Sequence, residues 1–176
     1  MTEPMFPEPA AASEDAGSAV PARRGFVIRT DGAARGNPGP ASAGAALYDL
    51  ARLDARDDRA APDASISDYL GVQTNNVAEY TGVVRALDLA RELGAAEVHL
   101  LLDSKLIVEQ LTGRWRVKDA KLIPLWAQAR QTLGGFERWT AAHVPRAQNS
   151  VADALANAAI DRAHAGGPAS EVRRPR

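Results

Sequence analysis

Gly25-Phe-Val-Ile-Arg-Thr-Asp31-Gly-Ala-Ala-Arg-Gly-Asn-Pro-Gly-Pro40 runs from a short apolar, β-branched stretch through an acid into a loop dense in turn residues. The first part reads as a strand over 25–30 with Asp31 at its end. Working outward, residues 42–50 are small and apolar and are expected to form a second strand. A third is expected within 64–72, after an aspartate-rich turn. Asn75 or Asn76 should cap a helix to about Leu93, which Gly94 closes. Glu97-Val-His-Leu-Leu-Leu102 is continuously apolar after its first residue, the pattern of a central buried strand. Ser104 should cap a short helix to Leu111. A further helix is expected over 120–133, a last strand over 136–144 and a final helix over 150–164. This order predicts an α/β fold, a five-stranded mixed sheet flanked by helices.

The composition of the 176 residues supports that reading, with 45% apolar and 24% charged residues. Alanine accounts for 36 positions, so the core should be closely packed rather than aromatic. Residues 1–24 mix Pro, Ala, Ser and acids without periodicity and are expected to be a disordered leader. Residues 166–176 are expected to be a disordered basic tail, leaving 25–165 as one domain. No stretch reaches the ~18 to 20 apolar residues of a membrane span, and the first twenty residues lack the pattern of a signal peptide. The absence of cysteine excludes disulfides, a thiolate nucleophile and Cys-ligated metal. A cytoplasmic monomer is the expectation. Charge is uneven: residues 49–68 hold six aspartates against three arginines, whereas 105–146 carry eight Lys or Arg against three acids. The second segment can meet a polyanion or can be a solvated helical face.

Four carboxylates stand out by position. Asp31 and Asp103 fall at the ends of expected strands. Glu79 shares a helical stripe with Val83, Ala86, Leu87 and Ala90, and Asp153 shares one with Ala156, Asn157 and Ile160. Both helical acids thus face the sheet, where an unpaired charge is costly. No Lys or Arg is placed to pair all four, and a hard divalent cation is the remaining partner, suited to phosphoryl chemistry. Taken singly, each acid also reads as a cap, a turn residue or half of a surface ion pair.

These phrases resemble the signatures of ribonuclease H type 1. Asp31-Gly-Ala-Ala-Arg-Gly-Asn-Pro-Gly39 resembles the first, Thr74-Asn-Asn-Val-Ala-Glu-Tyr80 the second and Asp103-Ser-Lys the third. His143-Val-Pro-Arg-Ala-Gln-Asn149 with Val-Ala-Asp153-Ala-Leu-Ala resembles the fourth. The resemblance implies the RNase H-like fold and an endonuclease that hydrolyses the RNA strand of RNA–DNA hybrids, leaving 5′-phosphate and 3′-hydroxyl ends. Asp31, Glu79, Asp103 and Asp153 would be its catalytic and metal-binding acids, holding two Mg²⁺ ions, with Mn²⁺ as a substitute. Asn37, Asn75 and Asn76 would contact the RNA strand and Thr74 the DNA backbone, with Ser104 and Asn149 also in the substrate-binding set. His143, or Arg146 in its place, would assist proton relay or product release.

Three departures accompany the resemblance. His143 and Arg146 both compete for one role. The span from Asp103 to His143 is short for a lysine-rich protrusion, leaving Arg114-Trp-Arg-Val-Lys118, Lys121 and Trp126, where either tryptophan also reads as core. Val77 stands where some members place a basic residue. Cleavage of double-stranded RNA and an inactive hybrid-binding module are the alternatives within this reading. A nucleotide-binding protein fails for want of a Gly-Lys-Ser/Thr or G-x-G-x-x-G motif, and a serine hydrolase built on Ser104 for want of a G-x-S-x-G elbow.

Overall fold

The computed structural model describes residues 24–176. The expected leader therefore lies outside the described residues, Arg24 excepted. The chain forms β1 (Gly25–Ala34), β2 (Gly39–Asp49), β3 (Ala64–Gln73), α1 (Asn75–Glu92) and β4 (Glu97–Leu102). It continues through α2 (Lys105–Leu111), α3 (Ile123–Gly134), β5 (Arg138–His143), a 3₁₀ turn (Arg146–Gln148), α4 (Ser150–His164) and β6 (Ser170–Arg173). The sheet order is β5-β4-β1-β2-β3-β6. β1, β2 and β3 form an antiparallel meander, β4 is parallel to β1 and β5 parallel to β4.

Alternation along β1 decides which layer covers which face. Phe26 and Ile28 join the larger core with Leu47, Leu87 and Leu100, beneath α1, α2 and α3. Val27 points the other way, into a smaller core with Ala46 and Tyr48 that Leu155 of α4 packs against. The near-continuous apolar run of β4 matches its central place in the sheet. Two of its positions, Val98 and Leu100, are fully buried.

Three expectations are corrected. The sheet has six strands rather than five, because the tail expected to be disordered carries β6. Composition misses this strand because polar contacts hold it: Val172 lies in register with Ile66, Ser170 donates to Asp68, and Arg162 donates to the Ser67 carbonyl at 2.7 Å. Asp31 is not at a strand end. β1 runs three residues past it because Gly32, Ala33 and Ala34 pair with Ala43, Ser42 and Ala41. The cap of α1 is Thr74, whose hydroxyl accepts from the Val77 amide at 3.3 Å, and Asn75 and Asn76 lie exposed in the first turn.

Two glycines set how closely the helices approach. A Cβ on Gly32 would overlap the backbone of Glu79 and lie 2.5 Å from the Ala78 carbonyl carbon. A Cβ on Gly44 would meet the Ala152 carbonyl and lie 2.6 Å from the Ala156 amide nitrogen. Gly44 is the cross-strand partner of Asp31. Both helices therefore touch the sheet beside that residue.

Candidate active site

Thr30 and Leu102 are register partners on parallel strands. The next residues, Asp31 still within β1 and Asp103 just past the end of β4, consequently stand side by side. The close approach at Gly32 delivers Glu79 from α1, and the approach at Gly44 delivers Asp153 from the first turn of α4. One carboxylate oxygen each from Asp31, Glu79 and Asp103 lies within 4.8 Å of the others. Asp153 stands in hydrogen-bonding reach of Asp31. All four line an open groove of about 470 Å³, rimmed by Arg35, Asn75, Asn76 and Arg146.

The electrostatics follow from this crowding. Burial pushes the Asp31 carboxyl up to about 8, reinforced by the charge of Asp103, by a hydrogen bond and charge from Asp153, and by Glu79. Burial and Asp103 push Glu79 up to about 7, against a hydrogen bond from Ser104 and the charge of Arg146. Only two cations line the groove, and Arg35 is already engaged with Asp161 at 2.8 Å. Asp31, Glu79 and Asp103 converge with Asp153 beside them, and this is a hard oxygen donor set short of positive charge. That fits Mg²⁺ or Mn²⁺.

A pH dependence follows. Between about 4 and 8 the folded chain holds protons on Asp31 and Glu79 that the unfolded chain has released. Stability without metal therefore falls as pH rises through that window. In chelator the thermal midpoint should drop from about pH 5 to about pH 8, and Asp31→Asn should flatten the slope. Added Mg²⁺ should raise the midpoint more at the upper end than at the lower. An unchanged midpoint across the range would show that the carboxylates do not crowd one another.

The remaining expected site residues divide. The Asn37 side-chain oxygen accepts from the Asn75 amide at 3.1 Å, tying the glycine loop to the start of α1, with both residues exposed. Ser104 caps α2 by accepting from the Ile107 amide at 3.3 Å. Arg146 lies on the groove, whereas His143 is exposed at the end of β5 and donates from Nε2 to the Asp103 carbonyl at 3.1 Å. Asn149 is a correction. It is 1% exposed and donates from Nδ2 to the Thr30 carbonyl at 2.8 Å, so it clamps the fold and presents nothing to a substrate.

The basic segment is likewise divided. Trp126 packs against the core and donates to the Gln110 carbonyl at 3.0 Å, while Trp115 is exposed with the Lys105 ammonium 5.8 Å from its ring centre. Arg35 and Asn157 also line the groove and were not among the expected site residues. The signal for Arg35 was its place as the one cation inside the glycine loop.

Comparison with known proteins agrees with this geometry. A family model described as reverse transcriptase-like matches residues 29–159. The bifunctional protein Rv2228c of Mycobacterium tuberculosis is 46% identical over 137 residues, covering 78% of this chain and 36% of the relative. Ribonuclease HI of Halobacterium salinarum is 43% identical over 135 residues, covering 74% of this chain and 62% of the relative. The chain thus spans less than two thirds of either protein. The structure of LC11-RNase H1 in complex with an RNA/DNA hybrid superposes with a TM-score of 0.69 at 36% identity, covering 79% of this chain and 99% of that one.

Proposed function

Because this chain belongs to the ribonuclease H type 1 family, we propose that it cleaves the RNA strand of RNA–DNA hybrids in a reaction that needs divalent metal. The observation that carries the proposal is the convergence of Asp31, Glu79 and Asp103 on one point of an open, cation-rimmed groove. Asp31, Glu79, Asp103 and Asp153 would hold the ions, Mg²⁺ foremost. Two ions bound there would supply an activated water and charge stabilisation for the departing 3′ oxygen, giving 5′-phosphate and 3′-hydroxyl ends.

The protein's own residues supply the rest. Asn75 and Asn76 at the groove, with Asn37 beside them, offer amide donors and acceptors to 2′-hydroxyls, the group that separates RNA from DNA. Thr74 lies next to them for the DNA backbone. The cytoplasm is the proposed location, with the monomer as the acting form. Among the described residues no helix is long and apolar enough to cross a membrane.

The test uses four labelled duplexes of one sequence: RNA–DNA, RNA–RNA, DNA–DNA, and DNA with one ribonucleotide. Each is incubated with Mg²⁺, Mn²⁺ or chelator. Internal cuts confined to the RNA of the hybrid, lost in chelator, are expected. Cuts in RNA–RNA would widen the substrate class, and binding without cleavage in every lane would make the chain an inactive binding module.

The roles of His143 and Arg146 separate in the same assay. Arg146 lies on the groove and its charge bears on Glu79, whereas His143 reaches a backbone carbonyl. Arg146→Ala should slow cleavage by about 10- to 100-fold, and His143→Ala by a few-fold at most. The reverse order would return the proton-relay role to His143.

A further inference from the structure

Arg29 is a buried cation two residues before Asp31 on β1. It is 2% exposed and takes part in none of the ion pairs among the described residues. Removing a guanidinium from water without a counter-ion is expensive, so its retention calls for a reason. Two backbone carbonyls meet its charge. One Nη donates to Gln148 at 2.9 Å and the other to Arg56 at 3.0 Å, in the loop between β2 and β3. Its Nε has no partner among the described residues.

Gln148 ends the 3₁₀ turn, and the following residue, Asn149, is the one clamped to the Thr30 carbonyl. Gln148 and the residue after it are therefore fastened to two consecutive residues of β1, immediately before Asp31. The fastened segment begins with Arg146. It ends one helical turn before Asp153, whose amide donates to the Asn149 carbonyl at 3.0 Å. Arg146 opens this segment and Asp153 follows one helical turn after its end, and both line the groove.

We propose that Arg29 is a positioning residue whose guanidinium fork holds the Arg146–Asn149 segment against β1 and so sets where Asp153 and Arg146 stand relative to Asp31. The inference rests on the metal-site reading of the acids. It requires arginine, because two carbonyls from remote segments are bridged by one planar, pre-organised group. Lysine carries the charge on a single point and cannot reproduce the fork.

The test compares the wild-type chain with Arg29→Lys and Arg29→Met by thermal melting, by calorimetric titration of Mg²⁺ without substrate, and by kcat and KM on hybrid. Arg29→Lys keeps the charge and most of the volume, and should remain folded. It should bind Mg²⁺ about tenfold more weakly and lose about 10- to 100-fold in kcat, the usual scale for residues that orient metal ligands. Its KM should change less than its kcat, because Asn37, Thr74, Asn75 and Asn76, the proposed hybrid contacts, lie outside the fastened segment. Arg29→Met should match it or lose the fold.

A folded Arg29→Lys chain with wild-type Mg²⁺ affinity and kcat would overturn the proposal. A lowered melting point with both values intact would overturn it too, leaving Arg29 a packing residue. Wild-type protein that neither binds Mg²⁺ nor cleaves would bring down the metal-site reading, and this proposal with it.

Discussion

Asp103→Asn is expected to leave the chain folded and able to bind hybrid while cleavage falls by about a thousandfold or more. Asp103 directly follows β4 and belongs to the three acids whose oxygens lie within 4.8 Å of one another. The amide keeps the shape of the carboxylate and removes its charge, so metal affinity is lost with little repacking. The same charge is a leading cause, after burial, of the raised pKa of both Asp31 and Glu79. Its removal relieves repulsion, and in chelator near pH 8 the variant should melt no lower than the wild type. The measurement is single-turnover cleavage of labelled hybrid in Mg²⁺, paired with hybrid binding in chelator. Cleavage at the wild-type rate would remove Asp103 from the metal site. Lost binding with lost cleavage would point to misfolding.

Gly32→Ala should have the largest effect on stability. The added methyl has no room: it would overlap the Glu79 amide and sit 2.5 Å from the Ala78 carbonyl carbon, both in the backbone of α1. A side chain could rotate away, but a helix backbone can yield only by moving the helix. Lifting α1 from the sheet opens the core that Val83, Ala86 and Leu87 fill, and carries Glu79 away from Asp31. The expected cost is about 4 kcal/mol, in the range of severe core overpacking. For a domain of this size that lowers the melting point by about 10 °C. Whatever remains folded should bind Mg²⁺ poorly. Gly134→Ala is the control, since nothing lies within 4 Å of its added Cβ. It is the last residue of α3, so alanine there should change stability by less than about 1 kcal/mol. Equal melting points for the two variants would refute the close approach of α1 to β1.

Much of this architecture was legible in the residues. The final helix begins at Ser150 and ends at His164 as its spacing predicts, and β4 occupies the predicted 97–102. Glu79 and Asp153 were placed toward the sheet by periodicity alone. Errors fell where local chemistry was ambiguous or partners were distant. Thr74, Asn75 and Asn76 are all competent caps, and only backbone conformation selects Thr74. Asn149 looked like a substrate contact because a polar side chain in a motif carries no mark of burial. β6 went unseen because its partners, Ser65 to Asp68 of β3, lie about a hundred residues away, with Ser170 donating to Asp68.

By itself the sequence determined the types of the elements from β1 to α4, the α/β class and the inward stripes of α1 and α4, and it nominated the four acids. These depend on periodicity and residue chemistry, which act over a few neighbouring positions. Tertiary structure alone decided that Asp31, Glu79 and Asp103 meet at one point with Asp153 beside Asp31. That required the parallel register placing Thr30 beside Leu102, and the helix approaches permitted at Gly32 and Gly44. It also decided that Arg146, and not His143, lies on the groove, and that Arg29 is buried against two carbonyls. The physical reason is common to all of these. Burial, raised pKa and the close approach of like charges arise between segments far apart along the chain, and no local pattern records the distance between them.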